Sequence, residues 1–268
     1  MPATSPRIDV SRDPEALAGR VAQWIADLAC HSTGRFAVCL SGGSAPRRLY
    51  QLLAGPPLRD VMPWQRIHWF WGDERFVPWD HPDSNYGMAR QAMLAHVPVS
   101  PGNIHGIAFA GTPAEAARAY QHVLQSYYGA ERLDPARPLF DVVLLGMGPD
   151  GHTASLIPGE PVLDEQGRWV AEVTHGRPEP RITLTYPALE NSRSTAFVAA
   201  GGGALPASVI TIFRPTYPNF RLPPFSRAAI ATFDESMFAT IDTLRCSRSV
   251  VSAAYISSAH HRRIAASA

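Results

Sequence analysis

A histidine inside a glycine-rich loop is the first feature of this sequence that suggests catalysis. The loop runs from Gly146 to His152 and directly follows the apolar stretch FDVVLL at residues 140–145. Glycines let the backbone turn sharply, so the loop can present an imidazole beyond the end of a strand. A lone histidine is more often structural, but this placement favours a general base that the nearby carboxylate of Asp150 could orient.

The same loop matches the dinucleotide-binding pattern G-x-G-x-x-G, with Glu172 about twenty residues further on. A nicotinamide site would also require a full helix after the third glycine. Pro158, Gly159 and Pro161 would end such a helix within two turns. Because a complete βαβ crossover does not fit there, we exclude a dinucleotide site.

A second glycine turn, SGGSAP, follows the apolar run FAVCL at residues 36–40 and precedes a predicted helix. Glycines allow a close approach to an anion, and the first amides of a helix attract phosphate. The alternative is an ordinary strand-to-helix turn in which Ser44 caps the helix. This segment alone leaves both interpretations open for Gly42, Gly43 and Ser44.

A third group of polar residues, Asp73, Glu74 and Arg75, follows the apolar stretch RIHWFW at residues 66–71. Asn85 and Tyr86 begin the next predicted helix. Such a triplet is commonly a solvated loop with a local ion pair. Its position at the carboxyl end of a buried strand, where ligands bind in α/β proteins, adds weight to a functional role and leaves both interpretations open.

The composition narrows the chemistry further. All 24 basic residues are arginine, so a Schiff-base lysine and a P-loop lysine are excluded, and phosphate would have to be held by arginine, hydroxyls or amides. A net charge of +1 argues against a nucleic-acid partner. No apolar run is long enough to span a membrane, and the first 20 residues contain no apolar segment typical of a secretory signal. The three cysteines have no metal-ligand spacing, and we expect reduced thiols in the cytoplasm.

Alternating strand and helix patterns predict an α/β fold: a three-layer, mostly parallel Rossmann-like sheet with helices on both faces. The predicted strands are residues 36–40, 66–71, 140–145, 169–173, 182–185 and 195–199. The predicted helices are residues 14–29, capped by Asp13, and 46–53, 84–94 and 113–128, the last capped by Thr112.

The pattern changes near residue 203. We expect residues 1–203 to form the α/β domain and residues 204–268 to be a divergent segment of the same domain that is poorly ordered. Five prolines fall between Pro206 and Pro224, and the last 68 residues carry seven arginines against three acidic residues. Because proline removes a backbone donor, we expect irregular chain or short helices there instead of central strands, with rapid proteolysis.

Taken together, the motifs SGGSAP, GDERFVP with DSNYGMAR, and GMGPDGHTASLIPG closely resemble the 6-phosphogluconolactonase family. That family belongs to the superfamily of glucosamine-6-phosphate deaminases and ribose-5-phosphate isomerases. The resemblance runs from about residue 10 to 200 and includes RITLTYPAL at residues 181–189. A deaminase would be expected to have a loop similar to NGHIAFNEPG where this sequence has PDGHTASLIPG.

The resemblance implies hydrolysis of 6-phospho-D-glucono-1,5-lactone in the oxidative pentose phosphate pathway, without metal or cofactor. His152 would take a proton from the attacking water and return it to the ring oxygen, with Asp150 and Asp73 tuning or orienting it. The partner would be the small sugar-phosphate lactone alone, and we expect a monomer. The residues implied for phosphate binding are Gly42, Gly43, Ser44 and Arg75, with Arg181 as a further candidate.

One departure from the family pattern bears on function. The family typically has a VTGxxK segment whose lysine helps hold phosphate, whereas this sequence has FVAAGGGALP. Natural divergence and a shifted reading frame from about residue 203 are both open, and the changed composition favours the shift. Two alternative functions follow: a weakly active or inactive sugar-phosphate-binding protein of the same fold, and an amino-sugar phosphate deaminase or isomerase.

Overall fold

The computed structural model describes residues 7–199 and 208–213. The helices are α1 (Pro14–His31), α2 (Ser44–Leu53), α3 (Leu58–Val61), α4 (Asn85–Ala92), α5 (Pro113–Tyr128) and α6 (Tyr186–Glu190). The strands are β1 (Arg7–Ser11), β2 (Phe36–Leu40), β3 (Ile67–Trp71), β4 (Asp73–Arg75), β5 (Ile104–His105), β6 (Phe140–Leu145), β7 (Val170–Val173), β8 (Arg181–Leu184), β9 (Ser192–Ala199) and β10 (Ser208–Phe213).

The two long helices begin where capping chemistry predicts. Asp13 accepts a hydrogen bond from the Ala16 N–H at 2.7 Å at the start of α1, and Pro14 follows it. At α5, Thr112 and Glu115 form a complete capping box. These predicted caps are therefore confirmed.

A seven-stranded sheet in the order β1-β10-β9-β6-β2-β3-β5 forms the centre of the fold. Strands β2, β3, β5, β6 and β9 pair in parallel, whereas β10 pairs antiparallel with both β9 and β1. The strand residues are mostly buried, as expected for a sheet covered by helices. The predicted α/β fold with a mostly parallel sheet is confirmed.

The prediction of no central strands after residue 204 is wrong for Ser208–Phe213, because this segment forms β10, which lies between β1 and β9 in the sheet. Its sequence SVITIF is rich in β-branched residues, and the flanking Pro206 and Pro215 lie outside it. The other predictions for the segment, including its irregular character and its sensitivity to proteolysis, fall on residues outside those described.

A smaller antiparallel sheet, in the order β4-β8-β7, lies beside the main one. The strands predicted at residues 169–173 and 182–185 are present as β7 and β8, but they pair antiparallel and lie outside the main sheet. Only seven residues, 174–180, connect β7 to β8, which is too short for a helical crossover and requires antiparallel pairing. The residues predicted as a polar loop, Asp73–Arg75, form the edge strand β4 of this sheet.

The order in which the chain adds strands to the main sheet reverses at β2. The strand that follows β2 in the chain, β3, pairs on one side, whereas β6 pairs on the other. Ligands in open α/β sheets bind beyond the carboxyl ends of the strands at such a switch point. The loops that follow β2 and β6 are those that contain Gly42 and His152. No helix in the described part of the chain is long and apolar enough to cross a membrane.

Candidate active site

A cleft of about 170 Å³ opens where these loops meet. It brings together residues from the loops after β2 and β6, from the edge strand β4, from the start of α4 and from β8. The lining residues are Ser41, Gly42, Gly43, Asp73, Arg75, Asn85, Gly146, Met147, Gly148, His152, Ala154 and Arg181. Three motifs that lie far apart in the sequence therefore face one space.

The loop after β2 is fixed by hydrogen bonds from Tyr50 and by close packing against Asn85. The hydroxyl of Tyr50 donates to the Ser41 carbonyl at 2.7 Å and accepts from the Ser41 N–H at 3.0 Å. A Cβ atom at Gly42 would overlap the side-chain amide of Asn85, so a larger residue there would displace Asn85. The position of Gly42 is thus set by a residue of a different motif.

The helix cap at this loop differs from the ordinary turn considered above. Gly43 is the N-cap of α2, with φ of 108°, and no side chain caps the helix. The interpretation of Ser44 as the cap is therefore wrong, because Ser44 is the exposed first residue of α2. It lies next to the cleft but does not line it. An N-terminus without a side-chain cap keeps amides available for an anion.

Asn85 connects the predicted catalytic and phosphate-binding residues. Its Nδ2 donates to the Asp73 carbonyl at 3.0 Å and to Asp73 Oδ1 at 3.3 Å, while its Oδ1 accepts from Arg75 at 3.0 Å. Asp73 is buried, and its Oδ2 accepts from the Ser155 hydroxyl at 2.7 Å. Asp73 is therefore fixed by two neighbouring side chains.

Glu74, beside Asp73, is buried for a different reason. Its carboxylate accepts from the backbone N–H groups of Asn85 and Tyr86, both at 2.7 Å, and from the Ser84 hydroxyl at 3.1 Å. It thereby caps the N-terminus of α4. Burial, which outweighs these hydrogen bonds, raises the pKa of Glu74 to about 7. Glu74 thus positions Asn85 without lining the cleft.

The two candidate phosphate arginines are direct partners in the small sheet. Arg75 and Arg181 face each other in the antiparallel register of β4 and β8. Burial first, and the neighbouring charges of Arg75 and Arg177, lower the pKa of Arg181, although Asp73 opposes this. The buried Nε–H of Arg181 has no hydrogen-bond partner within the described chain. Like charges directly opposite each other repel, so this arrangement favours an anion bound between them.

The loop after β6 presents His152 through close backbone packing. The Gly148 N–H donates to the His152 carbonyl at 2.8 Å, and Gly151 has φ of 84°. A Cβ atom at Gly148 would overlap the imidazole, so the ring lies directly against this glycine. The Thr153 hydroxyl donates to the Gly146 carbonyl at 2.9 Å and closes the loop. The glycines of this loop therefore allow the backbone to pack against the His152 ring.

Asp150 lies behind His152 and outside the cleft lining. Its Oδ1 accepts a hydrogen bond from His152 Nδ1, and its Oδ2 accepts from Arg177. Partial burial opposes ionisation, but the hydrogen bonds with Arg177 and His152 outweigh it and lower the pKa of Asp150. An ionised carboxylate at Nδ1 requires the imidazole proton there, which leaves Nε2 as the basic nitrogen.

The structure thus brings six of the eight predicted site residues to one cleft and places Ser44 and Asp150 next to it. No motif in the sequence indicated Arg177, and the motifs that contain Asn85 and Glu74 gave these two residues no role. The absence of lysine drew attention to arginine, but nothing in the spacing linked Arg177 to Asp150. In the described ranges, no group of three or more His, Cys, Asp or Glu side chains could hold a metal ion.

Several known proteins are similar to this chain. A family model for glucosamine-6-phosphate isomerases and 6-phosphogluconolactonases matches residues 12–217. The chain is 41% identical over 221 residues to a 6-phosphogluconolactonase of Nostoc sp., a match that covers 81% of this chain and 88% of that protein. It is 43% identical over 169 residues to a 6-phosphogluconolactonase of Synechocystis sp., covering 63% and 68%. The solved 6-phosphogluconolactonase of Trypanosoma cruzi has a TM-score of 0.65 and 30% identity, and the match covers 75% of this chain and 82% of that one.

Proposed function

Because this chain belongs to the family of glucosamine-6-phosphate isomerases and 6-phosphogluconolactonases, we propose that it hydrolyses 6-phospho-D-glucono-1,5-lactone to 6-phosphogluconate. The resemblance of its sequence motifs to this family is confirmed. Named lactonases at 41% and 43% identity favour hydrolysis over deamination or isomerisation. The reaction is a step of the oxidative pentose phosphate pathway.

One observation supports the assignment of roles most strongly: a histidine with a carboxylate at Nδ1 shares a small cleft with two opposed arginines. A phosphorylated lactone has one reactive carbonyl and one dianionic group. The arginine pair and the glycine turn can bind the dianionic phosphate, and His152 can activate water for attack on the carbonyl. Each end of the substrate thus has a complementary group.

The proposed reaction begins with the phosphate bound by Arg75, Arg181 and the turn of Gly42 and Gly43. His152 Nε2 takes a proton from water, and the water oxygen attacks the lactone carbonyl. The resulting imidazolium is stabilised by Asp150. When the tetrahedral intermediate collapses, the bond between the carbonyl carbon and the ring oxygen breaks, and the imidazolium returns the proton to that oxygen. Remote binding of the phosphate holds the carbonyl against the base.

The test is a lactone-hydrolysis assay of purified protein, corrected for spontaneous hydrolysis. We expect the wild type to be active and His152→Ala to lose roughly 10²–10⁴-fold in kcat. The variant should still bind 6-phosphogluconate in a calorimetric titration. His122→Ala, which changes an exposed histidine of α5, is the matched control. Wild-type turnover in His152→Ala would contradict the role of the base, and an inactive wild type would contradict the function.

We also propose that the protein acts as a monomer in the cytoplasm. Cys30 and Cys39 are free thiols, as expected for a reducing compartment. Size-exclusion chromatography with light scattering tests the oligomeric state.

A further inference from the structure

Arg177 is the charged residue next to the proposed base that the sequence analysis did not find. It lies in the connection between β7 and β8, on a different element from the His152 loop. Its Nη2 donates to Asp150 Oδ2, and its Nη1 donates to the Gly176 carbonyl at 3.1 Å. The Asp150 side chain is 37% exposed and is therefore only partly confined by packing. Its contacts with Arg177 and His152 hold it in place.

Two groups of opposite charge, a carboxylate and a guanidinium, face the same imidazole nitrogen. His152 Nδ1 lies beside Asp150 Oδ1 and 2.9 Å from Arg177 Nη2. A guanidinium can only donate hydrogen bonds, and an ionised carboxylate can only accept them. Because the ionised carboxylate can only accept, Nδ1 donates its proton to Asp150, and Arg177 acts on the ring through its charge.

The effect of that charge is opposite to the effect of Asp150. An isolated carboxylate at Nδ1 would favour the protonated imidazolium, which cannot act as a base, whereas a cation at 2.9 Å disfavours it. Other charged groups reach the cleft from the small sheet: Asp73 and Arg75 on β4 and Arg181 on β8. The Arg177 side chain contacts both members of the His152–Asp150 pair.

We propose that Arg177 is a positioning residue, which fixes the Asp150 carboxylate behind His152 and offsets the charge of that carboxylate at the imidazole. This inference rests on the proposed lactonase function. It assigns to Arg177 a role in the pH dependence of the base and no contact with the substrate.

Arg177→Met removes the charge at similar volume and tests the proposal. We expect kcat/KM at neutral pH to fall about 10-fold, and the acid limb of its pH profile to move up by about one pH unit. KM should stay within about twofold of the wild-type value. Arg177→Lys should restore the acid limb in part, because it returns the charge without the planar fork. The control is Arg193→Met, which breaks an exposed ion pair with Asp141 at 2.9 Å.

Two results would overturn the proposal. An equal loss of activity at every pH with a lower Tm would make Arg177 a structural residue. A rise in KM specific to the phosphorylated lactone would make it a phosphate ligand, which its proximity to Arg181 allows.

An NMR titration of the histidine imidazoles gives a readout that does not depend on turnover. The His152 resonances, assigned by their loss in His152→Gln, should titrate at higher pH in Arg177→Met than in the wild type. If the wild type does not hydrolyse the lactone but this difference is present, the proposed function fails and the electrostatic role of Arg177 stands. An unchanged titration contradicts that role, whatever the activity.

Discussion

At the scale of single residues, the site depends on side chains that share partners. Asn85 contacts Asp73, Arg75 and the backbone of Gly42, and Asp150 divides its two oxygens between His152 and Arg177. Because each polar group has more than one neighbour, displacing one residue displaces others. The effects of substitutions around this cleft should therefore be non-additive.

Arg75 provides a test of phosphate recognition at this scale. We expect Arg75→Ala to raise KM for the phosphorylated lactone by about 10-fold or more, because a charge-assisted hydrogen bond is worth about 1.5–3 kcal/mol. Hydrolysis of unphosphorylated glucono-1,5-lactone should barely change. Steady-state kinetics with both lactones measure this, with Arg90→Ala on the exposed side of α4 as the control. Equal losses on both substrates would mean that Arg75 supports Asn85 and the fold instead.

At the scale of elements, loops and helix ends hold the site together. Tyr50 from α2 bonds both backbone polar groups of Ser41, and Tyr120 from α5 does the same at Trp71, at 2.8 and 3.0 Å. Each tyrosine hydroxyl thus provides hydrogen bonds for the backbone N–H and C=O of one residue at the end of a strand. The helices consequently fix where the catalytic loops begin.

The start of α4 depends on a single carboxylate, that of Glu74, so one substitution can disturb it. In Glu74→Gln, an amide group replaces an oxygen that faces donors from Asn85, Tyr86 or Ser84. We expect a loss of about 1–3 kcal/mol in the free energy of unfolding, measured by urea denaturation. Activity should fall as well, because Asn85 moves with the helix end. Glu115→Gln, at the exposed capping box of α5, should cost less. Unchanged stability and activity in Glu74→Gln would show that the α4 cap does not position the site.

At the scale of the whole molecule, the site lies where the strand order reverses, and the far edge of the sheet has its own titratable cluster. His68 and His105 stack with their ring centroids 5.3 Å apart, and their ring nitrogens lie 3.0 Å apart. Burial first, and His68 second, lower the pKa of His105 to about 4. The folded state therefore resists protonation of this pair.

The sign of the pH dependence follows from that shift. A histidine whose pKa is lowered on folding binds more protons when unfolded, so stability is lost as pH falls from about 6.5 towards about 4. His105→Phe keeps the ring that stacks on Phe70 and removes the titration. Relative to this variant, we expect the wild type to lose about 1–2 kcal/mol over that range, discounted for partial exposure. Urea denaturation at a series of pH values measures the difference, and a difference that does not vary with pH would contradict the prediction.

Much of the fold could be predicted from local patterns. Apolar runs predicted β2, β3 and β6, and capping residues predicted the starts of α1 and α5, because burial and helix ends impose constraints within a few residues. Strand β10 was missed because nearby prolines were given more weight than its β-branched residues. The small sheet was missed because the partner of a strand depends on how the chain returns, which periodicity does not report.

The chemical groups of the site could be read from the residue types and their spacing: a histidine in a glycine loop, acidic residues after a strand, and arginine as the available cation. The tertiary structure alone decided which of these groups meet. Arg177 reaches Asp150, 27 residues away in the chain, and Ser155 reaches Asp73 across 82 residues. The physical reason is that a local pattern reports burial and backbone conformation, whereas a hydrogen bond between distant residues exists only once the sheets have set their register and brought the strand ends together.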